Sequence, residues 1–102
     1  MLTKNESEQR IKKLQQELKT RGIDGALLVY PIDIYYFSGT RQNSILWIPA
    51  DGAPFLLVRK SLARARTESH IDDTRPFPSS KEFPALFGEA VKKIGLTFDA
   101  ES

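Results

Sequence analysis

Gly25-Ala-Leu-Leu-Val-Tyr30, halted by Pro31, is the stretch on which the fold turns. It is apolar without interruption, and a strand with no polar alternation is one covered on both faces, as in α/β proteins. Working toward the N-terminus, Ile11, Leu14 and Leu18 recur at helical spacing, and Thr3 with Glu6, or Asn5 with Glu8, offers a capping pair. Gly22 suits the left-handed position after the last turn, with Ile23 folding back over Leu18. These signals predict a helix from Lys4 to Arg21. Toward the C-terminus, Asp33 is placed to cap a short helix over Ile34 to Ser38, which Gly39 ends.

Ser44 to Ile48 and Pro54 to Val58 are two further apolar runs. Pro49-Ala-Asp-Gly-Ala53 joins them, and its Asp51-Gly52 pair signals a turn, so an antiparallel hairpin is expected. A helix follows over Ser61 to Glu68 with Leu62, Ala63 and Ala65 inward. Ile71 to Phe77 reads as a returning strand, which Pro76 confines to an edge or to a strand's end. Ser79 and Glu82 have capping-box spacing, and Phe83, Leu86, Phe87, Ala90, Val91 and Ile94 trace one face of a last helix closed by Gly95. Leu96 to Phe98 begins one more strand. The expected fold class is α/β, with a mixed, mainly parallel sheet that includes a β-hairpin and has helices on both faces.

The chain has 102 residues, one His and no Cys, which suits one domain and excludes disulfide frameworks and Cys/His zinc clusters. The N-terminus is polar throughout, and no apolar run approaches the length of a membrane span. A soluble, cytoplasmic protein with no signal peptide and no membrane partner is expected. The net charge is +2, too small an excess to require nucleic acid. Arg59, Lys60, Arg64 and Arg66 nevertheless fall together without an acid between them. They read as a solvated helix face, or as an electropositive patch facing an acidic partner or another domain. No aromatic residue interleaves with them to stack on bases, so nucleic acid is not an expected partner.

Catalytic constellations are sparse. His70 is the only imidazole, and no G-x-S-x-G elbow makes a serine nucleophilic. Asp72 and Asp73 are adjacent, so on a strand they point to opposite faces. No glycine-rich phosphate loop occurs, and the strand over Gly25 to Val29 carries no carboxylate. No catalytic residue and no metal ligand is therefore assigned to this chain. What remains is Tyr30-Pro-Ile-Asp-Ile-Tyr-Tyr-Phe-Ser-Gly-Thr-Arg-Gln-Asn43, between two buried strands and at a strand's carboxyl end, where α/β sheets meet ligands. Ile34, Tyr35 and Phe37 are assigned to packing the short helix onto the sheet, and Trp47 to the core. Tyr36, Arg41, Gln42 and Asn43 are the candidates for contact with a substrate or partner.

Three groups of residues together resemble the N-terminal domain of the creatinase/prolidase family. They are Arg21-Gly-Ile-Asp-Gly-Ala-Leu-Leu-Val29, Asp33-Ile-Tyr-Tyr-Phe-Ser-Gly-Thr40, and the strand pair around Pro49-Ala-Asp-Gly-Ala-Pro54 and Leu57-Val-Arg-Lys60. The likeness runs from about Arg10 to Ser69 and is nearest to bacterial Xaa-Pro dipeptidases (prolidases) and aminopeptidases P. It implies a ribonuclease-H-like arrangement and a non-catalytic accessory domain occupying residues 1–102, cut short at its C-terminal end. The catalytic pita-bread domain, which this chain lacks, would be a partner on the same polypeptide. There two divalent metal ions (Mn, Co or Zn) act as Lewis acid and nucleophile generator, and a bridging hydroxide attacks the carbonyl before proline.

The resemblance also implies a homodimer in the full-length protein. The loop at about Gly39 to Ser44 would then border the partner subunit's cleft, with Tyr36, Arg41, Gln42 and Asn43 near a proline-containing peptide substrate. Arg41 matches a carboxylate-binding arginine of creatinases. The Phe-Gly-Arg pattern of creatinases is absent, which argues against creatine as substrate. The alternatives are an accessory domain of another creatinase-family hydrolase or lyase, and a stand-alone basic binding module whose affinity would fall steeply with salt.

Overall fold

The computed structural model describes residues 2–78 and, as backbone, residues 94–96. Helix α1 spans Lys4–Arg21, as the capping signals predict. The Thr3 hydroxyl accepts from the Glu6 N–H at 3.1 Å, and the Glu6 carboxylate accepts from the Thr3 N–H at 3.3 Å. At the other end Gly22 turns left-handed at φ 68°, and the Ile23 N–H donates to the Leu18 carbonyl at 2.9 Å. Both ends satisfy backbone groups that the helix itself leaves without partners.

The central strand β1 spans Gly25–Leu28 and is buried throughout. It is shorter than its apolar run because α2 starts at Pro31 rather than beyond Asp33. Helix α2 covers Pro31–Ser38, with Tyr30 in the capping position and Asp33 inside the first turn. Proline at the first helical position loses no hydrogen bond and arrives with its φ already set, which is why the helix claims it. The hairpin forms from β2 (Ser44–Pro49) and β3 (Phe55–Val58), with Ser44 opposite Val58. Helix α3 spans Leu62–Glu68. Ala65 is buried and Leu62 half-buried, but Ala63 faces solvent, since it lies off the face that residues three apart share.

Strand β4 is confined to Thr74–Pro76. Ile71 and Asp72 stay out of the ladder because the Thr74 hydroxyl and N–H turn back to their carbonyls, at 2.6 and 3.1 Å, while the Asp73 carbonyl accepts from the Leu56 N–H of β3 at 2.9 Å. Pro76 ends an edge strand, where its missing donor is harmless. The helix expected from Ser79 onward lies outside the described residues up to its end. Ile94 and Gly95, expected in its last turn and cap, belong instead to strand β5, Ile94–Leu96.

The five strands run in the order β4-β3-β2-β1-β5. The ladders β1/β2 and β2/β3 are antiparallel, and β1/β5 and β3/β4 are parallel. The sheet is thus mixed as expected, but not mainly parallel, because β2 runs antiparallel to both of its neighbours, β3 in the hairpin and β1 on its other side. The register puts Ala26 and Leu28 of β1 beside Ile48 and Leu46 of β2, and Leu46 beside Leu56 of β3. On this face pack Ile11, Leu14 and Leu18 of α1, Ile34 and Phe37 of α2, and Ala65 of α3. All three described helices therefore cover one face. A fully buried Leu or Ile stabilises by roughly 1.5–3 kcal/mol, so this layer dominates folding. On the opposite face Leu27, Ile45 and Trp47 are buried together, with Val29, Phe55 and Phe77 against them. Trp47 is a core residue, as its strand position implied. Its ring covers Gly25, where a Cβ would lie 2.3 Å from the indole. Among the described residues no helix is long and apolar enough to cross a membrane.

Candidate functional site

The loop between α2 and β2, residues 39–43, lies at the end of the sheet where β1 and β3 finish and β2 begins. It enters through Gly39, whose φ of 87° suits glycine. The same glycine lets the chain from α3 pass closely, because a Cβ there would meet His70 Cδ2 at 3.1 Å and the Glu68 carbonyl at 3.3 Å. The loop leaves through Asn43, whose carbonyl accepts from the Arg59 N–H at 2.8 Å.

Between those points the loop is bound to Glu68, the last residue of α3. The buried Thr40 hydroxyl donates to Glu68 Oε1 at 2.8 Å and accepts from the Gln42 N–H at 3.2 Å. The Arg41 N–H donates to the same oxygen at 3.3 Å. Gln42 Nε2 reaches both carboxylate oxygens, at 3.2 and 3.4 Å. The Thr40 hydroxyl, then the Gln42 amide, the Arg41 N–H and the charge of Arg64 hold the Glu68 carboxyl below its usual range, against a smaller opposing effect of burial.

These contacts sort the four candidate residues. Arg41 and Asn43 are exposed. The Arg41 guanidinium lies 5.0 Å from the centre of the Tyr35 ring, a cation–π contact. Gln42 is half-buried, and its side-chain amide is engaged in holding the loop. Tyr36 turns the other way, toward α1, where Arg10 stacks 4.0 Å from its ring centre and donates to its carbonyl at 2.7 Å. The structure therefore gathers Arg41, Gln42 and Asn43 and directs Tyr36 to a different contact.

Two participants escaped the sequence reading. Tyr35 was assigned to packing, yet its ring is half-buried beneath Arg41. Glu68 drew no role in the loop. One signal was available, since a carboxylate at a helix C-terminus opposes the macrodipole and calls for donors from elsewhere.

The remaining titratable residues are dispersed. His70 is half-buried, with Nε2 donating to the Leu2 carbonyl at 2.7 Å and its backbone N–H to the Ser38 carbonyl at 2.8 Å. Asp72 pairs with Lys4 and Asp73 with Arg75. Arg75 holds the Asp73 carboxyl below its ordinary range. Among the described residues no three His, Asp or Glu side chains come together as a cation site, so this part of the chain does not fit a divalent metal. Within the basic run, Arg59 stacks 4.2 Å from the Phe77 ring centre, and Arg66 Nε donates to the Thr74 carbonyl at 3.1 Å. A cleft of about 280 Å³ between α1 and residues 70–73, floored by Ile11, Pro54 and Ile71, is lined by none of the four candidates.

The family model described as the creatinase/prolidase N-terminal domain matches residues 10–102. No curated protein sequence matches the chain. Among solved structures, the N-terminal domain of the cytoplasmic peptidase PepQ from Mycobacterium tuberculosis H37Rv is 25% identical with a TM-score of 0.73, over 85% of this chain and 71% of that one. An XXA-pro aminopeptidase from Streptococcus pyogenes has a TM-score of 0.76 at 15% identity, over 92% of this chain and 75% of that one. A prolidase from Pyrococcus furiosus has a TM-score of 0.74 at 22% identity over 89% of this chain. The chain spans 29% of that prolidase's length.

Proposed function

Because the chain belongs to the creatinase/prolidase N-terminal domain family, we propose that it serves as the non-catalytic N-terminal domain of a Xaa-Pro metallopeptidase in the cytoplasm. The parent enzyme would hydrolyse the peptide bond before proline. The reading is carried by the family match over residues 10–102, and the peptidases among the similar folds support a hydrolase parent. Two divalent metal ions, Mn, Co or Zn, would be held by a C-terminal catalytic domain of the same polypeptide.

In this reading the full-length protein is a homodimer, and the loop at residues 39–43 of one subunit borders the catalytic cleft of the other. Arg41 is the contact residue. Its guanidinium is exposed above Tyr35 and makes no ion pair among the described residues, and such a fork suits the two oxygens of a peptide carboxylate. Asn43, two residues further along the loop, is exposed as well. Gln42 acts through the loop's shape, while Tyr36 lies nearer α1 and is the more remote of the four.

The test is Arg41→Ala in the full-length enzyme. Losing a charge-assisted bidentate contact should raise KM for Xaa-Pro substrates by about tenfold, with metal content intact. Unchanged kinetics would remove the loop from the substrate entrance.

A further inference from the structure

We propose that Glu68 is a positioning residue, fixing the loop that carries Arg41 at the end of the sheet. The proposal rests on the reading of that loop as part of the substrate entrance. Glu68 itself touches no substrate in this scheme and acts through Thr40, Arg41 and Gln42.

Three consecutive residues each donate to this one carboxylate. An ionised carboxylate accepts about four such bonds, so one side chain can organise several residues of backbone at once. The Thr40 hydroxyl extends the hold by accepting from the Gln42 N–H while donating to Glu68. Gln42 closes the ring from the far side through its own amide. Arg41 is thus tethered at its own N–H and at both neighbours, which offsets the entropy lost in ordering a loop.

The position of Glu68 supports a dedicated role. It ends α3, where the macrodipole disfavours an anion, and within that helix only Arg64, one turn back, contributes opposite charge. Its oxygens engage the loop's N–H groups, hydroxyl and amide, and do not pair with the Arg41 guanidinium. That cation is left to lie over Tyr35, available to an incoming carboxylate. A salt bridge from Glu68 to Arg41 would have occupied it.

The experiment compares Glu68→Gln, Glu68→Ala and Arg41→Ala, with the Arg41→Ala background carrying each Glu68 variant, all in the full-length protein. Amide hydrogen exchange at residues 40–42 should accelerate about tenfold in Glu68→Gln without a change in Tm. KM for a Xaa-Pro dipeptide should rise about fivefold with kcat near wild type, and the rise should vanish in the Arg41→Ala background. Glu68→Gln keeps size and shape, so the comparison survives if Glu68→Ala does not fold. Unchanged exchange at residues 40–42 would overturn the proposal, as would a KM effect of equal size with and without Arg41. Faster exchange in Glu68→Gln beside an Arg41→Ala variant with normal KM would overturn the entrance reading alone, leaving the hold of Glu68 on the loop in place.

Discussion

Thr40 and Leu46 stand six positions apart and are both fully buried, yet they are held by different physics. Leu46 lies mid-sheet, opposite Leu28 and Leu56, under the helices. Its stabilisation comes from apolar area removed from water, which is non-directional and adds to the stability of the whole domain. Thr40 sits in the loop, and its burial is tolerable only because its hydroxyl both donates to Glu68 and accepts from Gln42. The bonds there are directional and local. They decide where Arg41 stands and contribute little to whether the sheet forms.

Breaking the core side of this contrast should give the largest effect. Leu46→Ala would leave a cavity beneath α1 and α2 and is expected to lower the unfolding free energy by about 2–5 kcal/mol. Denaturant unfolding measures it, and a loss below about 1 kcal/mol would mean that the layer is not the main source of stability. Gly25→Ala tests the opposite face. The added methyl would lie 2.3 Å from the Trp47 indole, and displacing a packed ring should cost about 1–3 kcal/mol. Near-wild-type stability would show that Trp47 is free to swing away.

The smallest effect belongs to the loop and is read by pH. The Thr40 hydroxyl and its neighbours depress the Glu68 pKa from its usual 4.5. A carboxylate with a depressed folded pKa contributes stability present in full above the unfolded value and lost as pH falls through the folded one. The amide resonances of residues 40–42 should therefore stay constant at neutral pH and shift together with a midpoint below 4.5. Core resonances around Leu46 should not follow. A midpoint at or above 4.5 would mean that these bonds do not favour the ionised carboxylate.

Legibility followed the reach of each interaction. Helix α1 was readable at both ends because Thr3 with Glu6, and Gly22 with Ile23 and Leu18, act within one turn. The hairpin was readable from Asp51-Gly52 between two apolar runs. The start of α2 was misplaced because Asp33 offered a capping side chain, while Pro31 supplied a helical φ earlier in the chain. Residues 71–73 read as strand, but the Thr74 hydroxyl and N–H bond back to Ile71 and Asp72 and turn those two aside. For the candidate site, exposure of Arg41 and Asn43 followed from their polarity. The engagement of Gln42, the turning of Tyr36 toward Arg10 and the Tyr35 face beneath Arg41 did not.

Composition and local order already decide that this is an α/β chain. They set which runs become strands, where α1 begins and ends, and which loop carries polar groups at a strand's carboxyl end. Those outcomes rest on periodicity, capping and turn chemistry, which act between neighbours. Folding alone decides that β1 joins the hairpin antiparallel to β2, that Gly25 makes room for Trp47, and that Glu68 binds Thr40, 28 residues before it. Such pairings depend on which surfaces meet once α3 is laid against the sheet, and no local pattern encodes that meeting.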